Sequence, residues 1–137
     1  MGSAPLPERI IIPPPDVPPD QSTVQFSFKH LDFDNPKFQP VECPHAFWCA
    51  LMSRLKIYSA LTVEIFQDHR NPDRRHIIDF RETTEPNGFT SVDTEQLAWE
   101  EPWQFDLVTT EPWRIAGLLV QNVFYVIWLD ANHRLYV

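Results

Sequence analysis

Residues 113–130 read WRIAGLLVQNVFYVIWLD, two apolar runs separated by Gln121 and Asn122. Each run has the length of a strand, and Asn at the break can adopt the left-handed backbone that a tight hairpin turn requires. A last turn at 130–133 precedes a short final stretch, and we expect Asp130 to accept backbone N–H groups of that turn. The sequence therefore predicts that the chain closes in an antiparallel sheet.

Upstream of this hairpin the apolar pattern changes with position. Residues 24–29 alternate apolar and polar side chains, which predicts a first strand buried on one face. Between 44 and 58 the apolar residues recur at three- and four-residue steps, which predicts a helix, and a second short helix is expected from 63 to about 69. Residues 94–99 fit a short helix or a strand. Further strands are expected at 75–80, 103–108, 113–120 and 123–129.

The predicted fold class is α+β with the order β-α-α-β-β-β, an antiparallel sheet packed against two N-terminal helices. A length of 137 residues and a 43% hydrophobic content suit one domain with a substantial core, which we place at 23–137. Seven of the fourteen prolines fall within residues 1–22, which predicts a flexible Pro-rich arm. Within the arm, residues 8–12 are apolar enough to dock on the domain or on a partner.

Several classes of protein are disfavoured by the sequence. No apolar run reaches the roughly 18 residues of a membrane-spanning helix, and the N-terminus lacks the layout of a secretory signal. We therefore expect a cytoplasmic protein without a membrane partner. No phosphate-binding glycine loop or nucleophile elbow is present, so no cofactor is expected. Cys43 and Cys49 are six residues apart, which favours buried free thiols over a disulfide or a zinc site.

The net charge of −8 has one source. Residues 79–111 contain nine acidic residues and one basic residue, whereas the remainder of the chain is balanced. Such a segment is either a solvated surface or a docking surface for a basic partner. The tryptophans near it suit core packing, with some at a protein interface, better than a nucleic-acid stacking platform, because negative charge repels phosphates. The residues expected to contact a protein partner are Glu95, Trp99, Glu100, Glu101 and Trp103.

The closing sheet carries the polar set best suited to chemistry, namely Arg114, His133, Arg134 and Tyr136. This last quarter of the chain, together with the element order, resembles the RelE/ParE-type toxins, which are ribosome-linked RNases and their relatives. The resemblance implies that Arg114 holds the scissile phosphate, that His133 or Tyr136 is the general acid or base, and that Arg134 stabilises transition-state charge. It implies metal-free RNA cleavage, with RNA or the ribosome as partner.

Two functions are therefore predicted. The first is a small acidic protein-interaction subunit that acts with a co-encoded partner, for example in a toxin–antitoxin or defence system. The alternative is a RelE-like, metal-independent endoribonuclease or its inactive relative. We favour the interaction subunit, because phosphate backbones are bound by basic proteins and this chain is acidic. The whole chain is also similar to small bacterial proteins of unknown function, a similarity that supplies no mechanism.

Overall fold

Five strands and three helices form the described part of the chain, which in this computed structural model comprises residues 9–13, 22–68, 70–71 and 74–136. The strands are β1 (Gln25–Ser27), β2 (His76–Ile77), β3 (Glu101–Asp106), β4 (Arg114–Val120) and β5 (Val123–Asp130). The helices are α1 (His45–Tyr58), α2 (Val63–Phe66) and α3 (Thr94–Trp99). The strands form one sheet in the order β1-β5-β4-β3-β2.

The closing hairpin is confirmed: β4 and β5 pair antiparallel around residues 121–122. The left-handed residue of the turn is Gln121, with φ 54°, rather than its neighbour Asn122. A β-bulge between Ala116 and Gly117 shifts the register within the hairpin. A side chain at Gly117 would collide with the Tyr125 carbonyl and the Phe124 ring, so the bulge depends on glycine.

The α+β class is confirmed, but the expectation of a purely antiparallel sheet is wrong. β1 lies parallel to β5, with Gln25 opposite Val123 and Ser27 opposite Tyr125. Antiparallel pairing follows readily from a short loop between two strands, whereas β1 reaches β5 from the far end of the chain. Residues 94–99, which fitted either a short helix or a strand, form α3, so the observed order is β-α-α-β-α-β-β-β rather than the predicted β-α-α-β-β-β.

The two N-terminal helices cover one face of the sheet. Phe47, Leu51, Leu55 and Tyr58 recur along one side of α1 and are buried there. Thr62 begins α2, because its hydroxyl accepts the Ile65 N–H at 3.3 Å. α2 ends at Phe66, short of the predicted end at His69, which lies outside the described residues. These side chains form the first core cluster together with inward-facing residues of β3, β4 and β5.

The opposite face of the sheet is covered by loops, α3 and residues 9–13. Trp128 of β5 lies at its centre, stacked on Phe38 at 4.7 Å between ring centroids. The Trp128 indole N–H donates to the Asp32 carboxylate at 3.0 Å, so the polar atom of this buried ring is satisfied. Because both faces of the sheet are covered, every residue of β4 and β5 is buried.

Residues 9–13 are docked on the domain, one of the two alternatives expected for the apolar part of the arm. The rest of the predicted arm, apart from residue 22, lies outside the described residues.

The expectation that both cysteines are buried free thiols is correct for one of them and wrong for the other. Both cysteines are free, with Cys43 buried before α1 but Cys49 exposed on that helix.

Candidate functional site

A row of three buried charges crosses the sheet on the face that α3 covers. Asp106 of β3, Arg114 of β4 and Asp130 of β5 are opposite one another in the strand register. The Arg114 Nε lies 2.7 Å from Asp106 Oδ1, and Arg114 is only 8% exposed. Its Nη1 also donates to the backbone carbonyl oxygens of Glu111 and Trp113. Arg114 is therefore held by three oxygen partners inside the protein.

Asp130, at the far end of this row, fixes the C-terminal segment. Its two carboxylate oxygens accept the backbone N–H groups of Arg134 at 2.8 Å and Leu135 at 2.9 Å. This confirms the expectation that Asp130 stabilises the turn. The carbonyl oxygens of Arg134 and Leu135 in turn accept hydrogen bonds from Thr84. The last residues are thereby tied to both the sheet and the loop after β2.

His76 lies beside this row at the sheet edge, opposite Gln104 of β3. The Gln104 amide Nε2 lies 3.3 Å from His76 Nε2, and His76 Nδ1 is 3.1 Å from the Ile77 carbonyl oxygen. Since a carbonyl oxygen only accepts and an amide NH₂ only donates, these contacts fit a proton on Nδ1 when the imidazole is neutral. The Tyr136 ring packs edge-on against the imidazole at 5.5 Å, and the Tyr136 hydroxyl accepts the Asp79 N–H.

Several charged groups surround the Asp106 carboxylate. Burial raises its pKa above the ordinary value of 3.8, and the nearby positive charges of Arg114, Arg74, His76 and His133 oppose that rise. Its Oδ2 has no hydrogen-bond partner among the described residues, and neither has the Oε1 of Gln104. The arrangement is a nearly neutral, buried network that can retain a proton above the usual range of a carboxyl group.

The structure brings together only part of the set predicted to be catalytic. Arg114 pairs with Asp106, and the charge of His133 acts on the Asp106 carboxylate. Tyr136 packs against His76. His133 is exposed on the last turn, with φ 54°, and Arg134 points to the Glu42 carboxylate at 3.3 Å. Because Arg114 is buried and engaged with protein oxygens, it is not presented to an external phosphate in this conformation. The alternative of an endoribonuclease stays a prediction that these contacts do not favour.

Sequence reasoning missed His76, Gln104 and Asp106. One signal was available for Asp106: if residues 103–108 and 113–120 are neighbouring antiparallel strands, a turn centred near 110 puts Asp106 opposite Arg114. No comparable signal existed for His76, since β2 is two residues long and joins β3 from a distant part of the chain.

The acidic residues predicted to bind a partner gather on and after α3. Asp93 begins this helix, its carboxylate accepting the Gln96 N–H at 3.2 Å, and Glu95 lies in the first turn. Trp99 ends the helix and is 85% exposed. Partial burial and the charge of Glu101 raise the pKa of Glu100.

Two of the residues predicted to contact a partner are engaged within the domain. Trp103 is 2% exposed and packs in the first core cluster against Phe66, so its ring offers no surface to a partner in this conformation. Glu101 accepts a hydrogen bond from the Gln67 amide at 2.6 Å. The part of the predicted surface that stays available is therefore the exposed Glu95 and Trp99 with the half-buried Glu100.

Open cavities of the described part of the chain include one at the sheet edge and one between loops. One, of about 320 Å³, lies at the β2 edge between Gln67, His76, Ile77, Glu101 and Trp103. The other, of about 350 Å³, is lined by Asp32, residues 34–37, Glu85, Thr90 and Ser91. Within the described residues, no group of three or more His, Cys, Asp or Glu side chains could hold a metal ion. None of the described helices combines the length and apolar character that a membrane crossing requires.

Comparisons with protein-family models, with curated proteins and with solved structures gave no match to this chain.

Proposed function

We propose that the protein is an interaction subunit that docks a basic protein partner through α3 and the residue after it, a surface formed by Glu95, Trp99 and Glu100. The observation that carries the proposal is the exposure of Trp99. A large aromatic side chain left in water at the end of a helix is the kind of residue that anchors protein interfaces.

Charge supports a basic partner. Glu95 and Glu100 flank the Trp99 ring in sequence, and they lie in the segment that accounts for the whole net charge. Acidic groups around an apolar anchor attract a basic partner and speed its association, while the buried ring supplies most of the affinity. The elevated pKa of Glu100 fits the same view, because a nearby cation would favour its charged form.

A basic side chain of the same chain lies next to this surface, at the start of α3. The Arg9 guanidinium donates to the Thr90 carbonyl oxygen at 3.1 Å and to the Thr94 hydroxyl at 3.0 Å, at the start of α3. A basic side chain is therefore compatible with this end of the helix. We place the partner among proteins encoded beside this one, in keeping with a subunit that acts with a co-encoded protein.

The test is binding to the products of neighbouring genes, with a variant that removes the anchor. Trp99→Ser is expected to weaken binding about 30-fold, which corresponds to about 2 kcal/mol for a hot-spot aromatic residue. Val41→Ser is the matched control, since Val41 is also an exposed apolar residue but lies outside α3. Glu95→Lys with Glu100→Lys should slow association most at low salt. Unchanged affinity of Trp99→Ser for every partner bound by the wild type would refute the proposed surface.

A further inference from the structure

Residues 9–13 occupy a groove between the 89–93 loop and α3. Ile10 lies parallel to Val92: its N–H donates to the Ser91 carbonyl oxygen at 3.1 Å, and its carbonyl oxygen accepts the Asp93 N–H at 2.9 Å. Two residues later, Ile12 is 1% exposed and belongs to the second core cluster. The groove thus binds this segment through one isolated parallel β-bridge and one buried apolar side chain.

One side chain of the groove recognises the backbone itself. The Gln96 Oε1 accepts the Ile12 N–H at 2.8 Å, and the Gln96 Nε2 donates to the Ile12 carbonyl oxygen, also at 2.8 Å. A single amide therefore satisfies both polar groups of a buried residue. Arg9 adds two hydrogen bonds at the other end of the segment. These contacts are typical of a site that binds an extended peptide. The peptide it fits has Arg at one position, Ile at the next position and Ile again two positions further on.

We propose that this groove also takes residues 9–13 of a second copy of this chain, giving a dimer in which the two segments are exchanged. All of these hydrogen bonds join residues at least 81 positions apart in sequence. None of them requires that segment and groove belong to the same chain. Each copy has one segment and one groove. Two copies can therefore fill each other's grooves, and the assembly is complete as a dimer.

In the wild-type protein the groove is filled mainly by the segment of its own chain. Its effective concentration at the groove is on the order of millimolar for a short connection, so exchange is outcompeted at lower protein concentrations. Exchange becomes visible when the intramolecular option is removed from both copies. The proposal is independent of the α3 docking function, because Trp99 contributes none of the groove hydrogen bonds named above.

The test is complementation between two variants. Ile12→Asp keeps the groove but puts a charge on the buried anchor. Gln96→Leu combined with Thr94→Ala keeps the segment but removes the hydrogen bonds that Ile12 and one Arg9 nitrogen make. Light scattering should show that each variant alone is monomeric and that the mixture forms a 1:1 dimer, in which the intact segment of the groove variant fills the intact groove of the Ile12→Asp variant. Native mass spectrometry of the mixture, with one copy isotopically labelled, should show one copy of each kind.

Ile11→Asp is the control for the first variant, since Ile11 is the exposed neighbour of Ile12. Its segment still seats in its own groove, so a mixture with the groove variant should contain no more dimer than the groove variant alone. A mixture of the Ile12→Asp and groove variants that stays monomeric, while circular dichroism shows both to be folded, overturns the proposal. If Ile12→Asp does not fold, Ile12→Ser replaces it under the same readout and the same criterion.

Discussion

At the scale of single residues, the two cysteines should differ sharply in reactivity. Burial, with the negative charges of Glu42 and Asp130, raises the pKa of Cys43 to about 11, so it is almost entirely a thiol at pH 8. Cys49 is exposed on α1. We expect a disulfide reagent at pH 8 to modify one thiol rapidly and the second only after unfolding. Cys49→Ser should abolish the rapid phase, and a rapid phase that survives in this variant would contradict the assignment.

The ring nitrogen that carries the proton in neutral His76 can also be predicted. Its contacts with the Ile77 carbonyl oxygen and the Gln104 NH₂ group require a proton on Nδ1 and a lone pair on Nε2 when the ring is neutral. Nitrogen-15 NMR at pH above 8 should therefore show this tautomer, which is the rarer one for free imidazole side chains. His45, which is exposed at the start of α1, is the reference within the same spectrum. An Nε2-protonated His76 would show that the edge network is arranged differently.

The buried pair of Asp106 and Arg114 should be costly to break. Arg114→Met leaves the Asp106 carboxylate, among the described residues, with only the more distant Arg74, at 3.9 Å, and removing one member of a buried pair costs about 3–5 kcal/mol. Arg134→Met is the control. Arg134 pairs with Glu42 at the surface, where a salt bridge contributes about 1 kcal/mol or less. Urea unfolding at pH 7 measures both losses, and equal losses would contradict the buried role of Arg114.

The cost of Arg114→Met should also depend on pH. Burial already raises the folded-state pKa of Asp106 above its unfolded value of 3.8, and loss of Arg114 removes the largest effect that opposes the rise. A carboxyl group with a raised folded-state pKa binds its proton more tightly in the folded protein. The stabilisation that this proton gives to the folded protein is therefore fully present below pH 3.8. It is lost as the pH rises through the folded-state pKa of Asp106. The variant should be closer to wild-type stability at pH 4 than at pH 7, whereas Arg134→Met should show no such trend.

At the scale of elements, the bulge in the β4–β5 hairpin is the most sensitive point. A Cβ at Gly117 would overlap the Tyr125 carbonyl oxygen and the Phe124 ring, both inside a fully buried hairpin. Gly117→Ala is expected to cost about 3 kcal/mol, the upper part of the usual range for overpacking a core. Gly88→Asn is the control, because Gly88 has φ 73° in a turn and Asn tolerates that region. Chemical denaturation compares the two, and a loss below 1 kcal/mol for Gly117→Ala would contradict the packing.

The elements also show where sequence reasoning succeeds and where it stops. α1 and the β4–β5 hairpin could be predicted because their apolar spacing and turn residues act over short distances along the chain. The parallel pairing of β1 with β5 could not, since it joins positions almost a hundred residues apart and leaves no local pattern.

The predicted sites divide in the same way. Arg114 was singled out for its type and place on a strand, but its partner Asp106 depends on strand register, and its burial depends on the covering loops. Trp99 and Trp103 are four residues apart and look alike in sequence. Only the fold puts the first in solvent and the second in the core.

At the scale of the whole molecule, the two faces of the sheet are covered by material of different kinds. α1 and α2 cover one face and continue into each other through a short connection. The other face depends on loops, the six-residue α3 and a segment from the start of the chain. Residues 9–13 are joined to the rest of the domain by side-chain and backbone hydrogen bonds and by the buried Ile12, but they pair with no strand of the sheet. We therefore expect this segment to detach without unfolding the sheet.

Hydrogen exchange should resolve this difference within the wild-type protein. The amides of β4 and β5 lie in buried strands with neighbours on both sides, so we expect them to exchange only through global unfolding. The amides of Ile10 and Ile12 are hydrogen-bonded too, but they should exchange faster by detachment of residues 9–13. Ile12→Asp should remove protection at Ile10 and Asp93 while leaving β4 and β5 protected. Equal protection of Ile10 and the β5 amides in the wild type would mean that the segment opens only when the whole domain unfolds. Residues 9–13 would then be an integral strand of the fold, and exchange between copies would be possible only through the unfolded state.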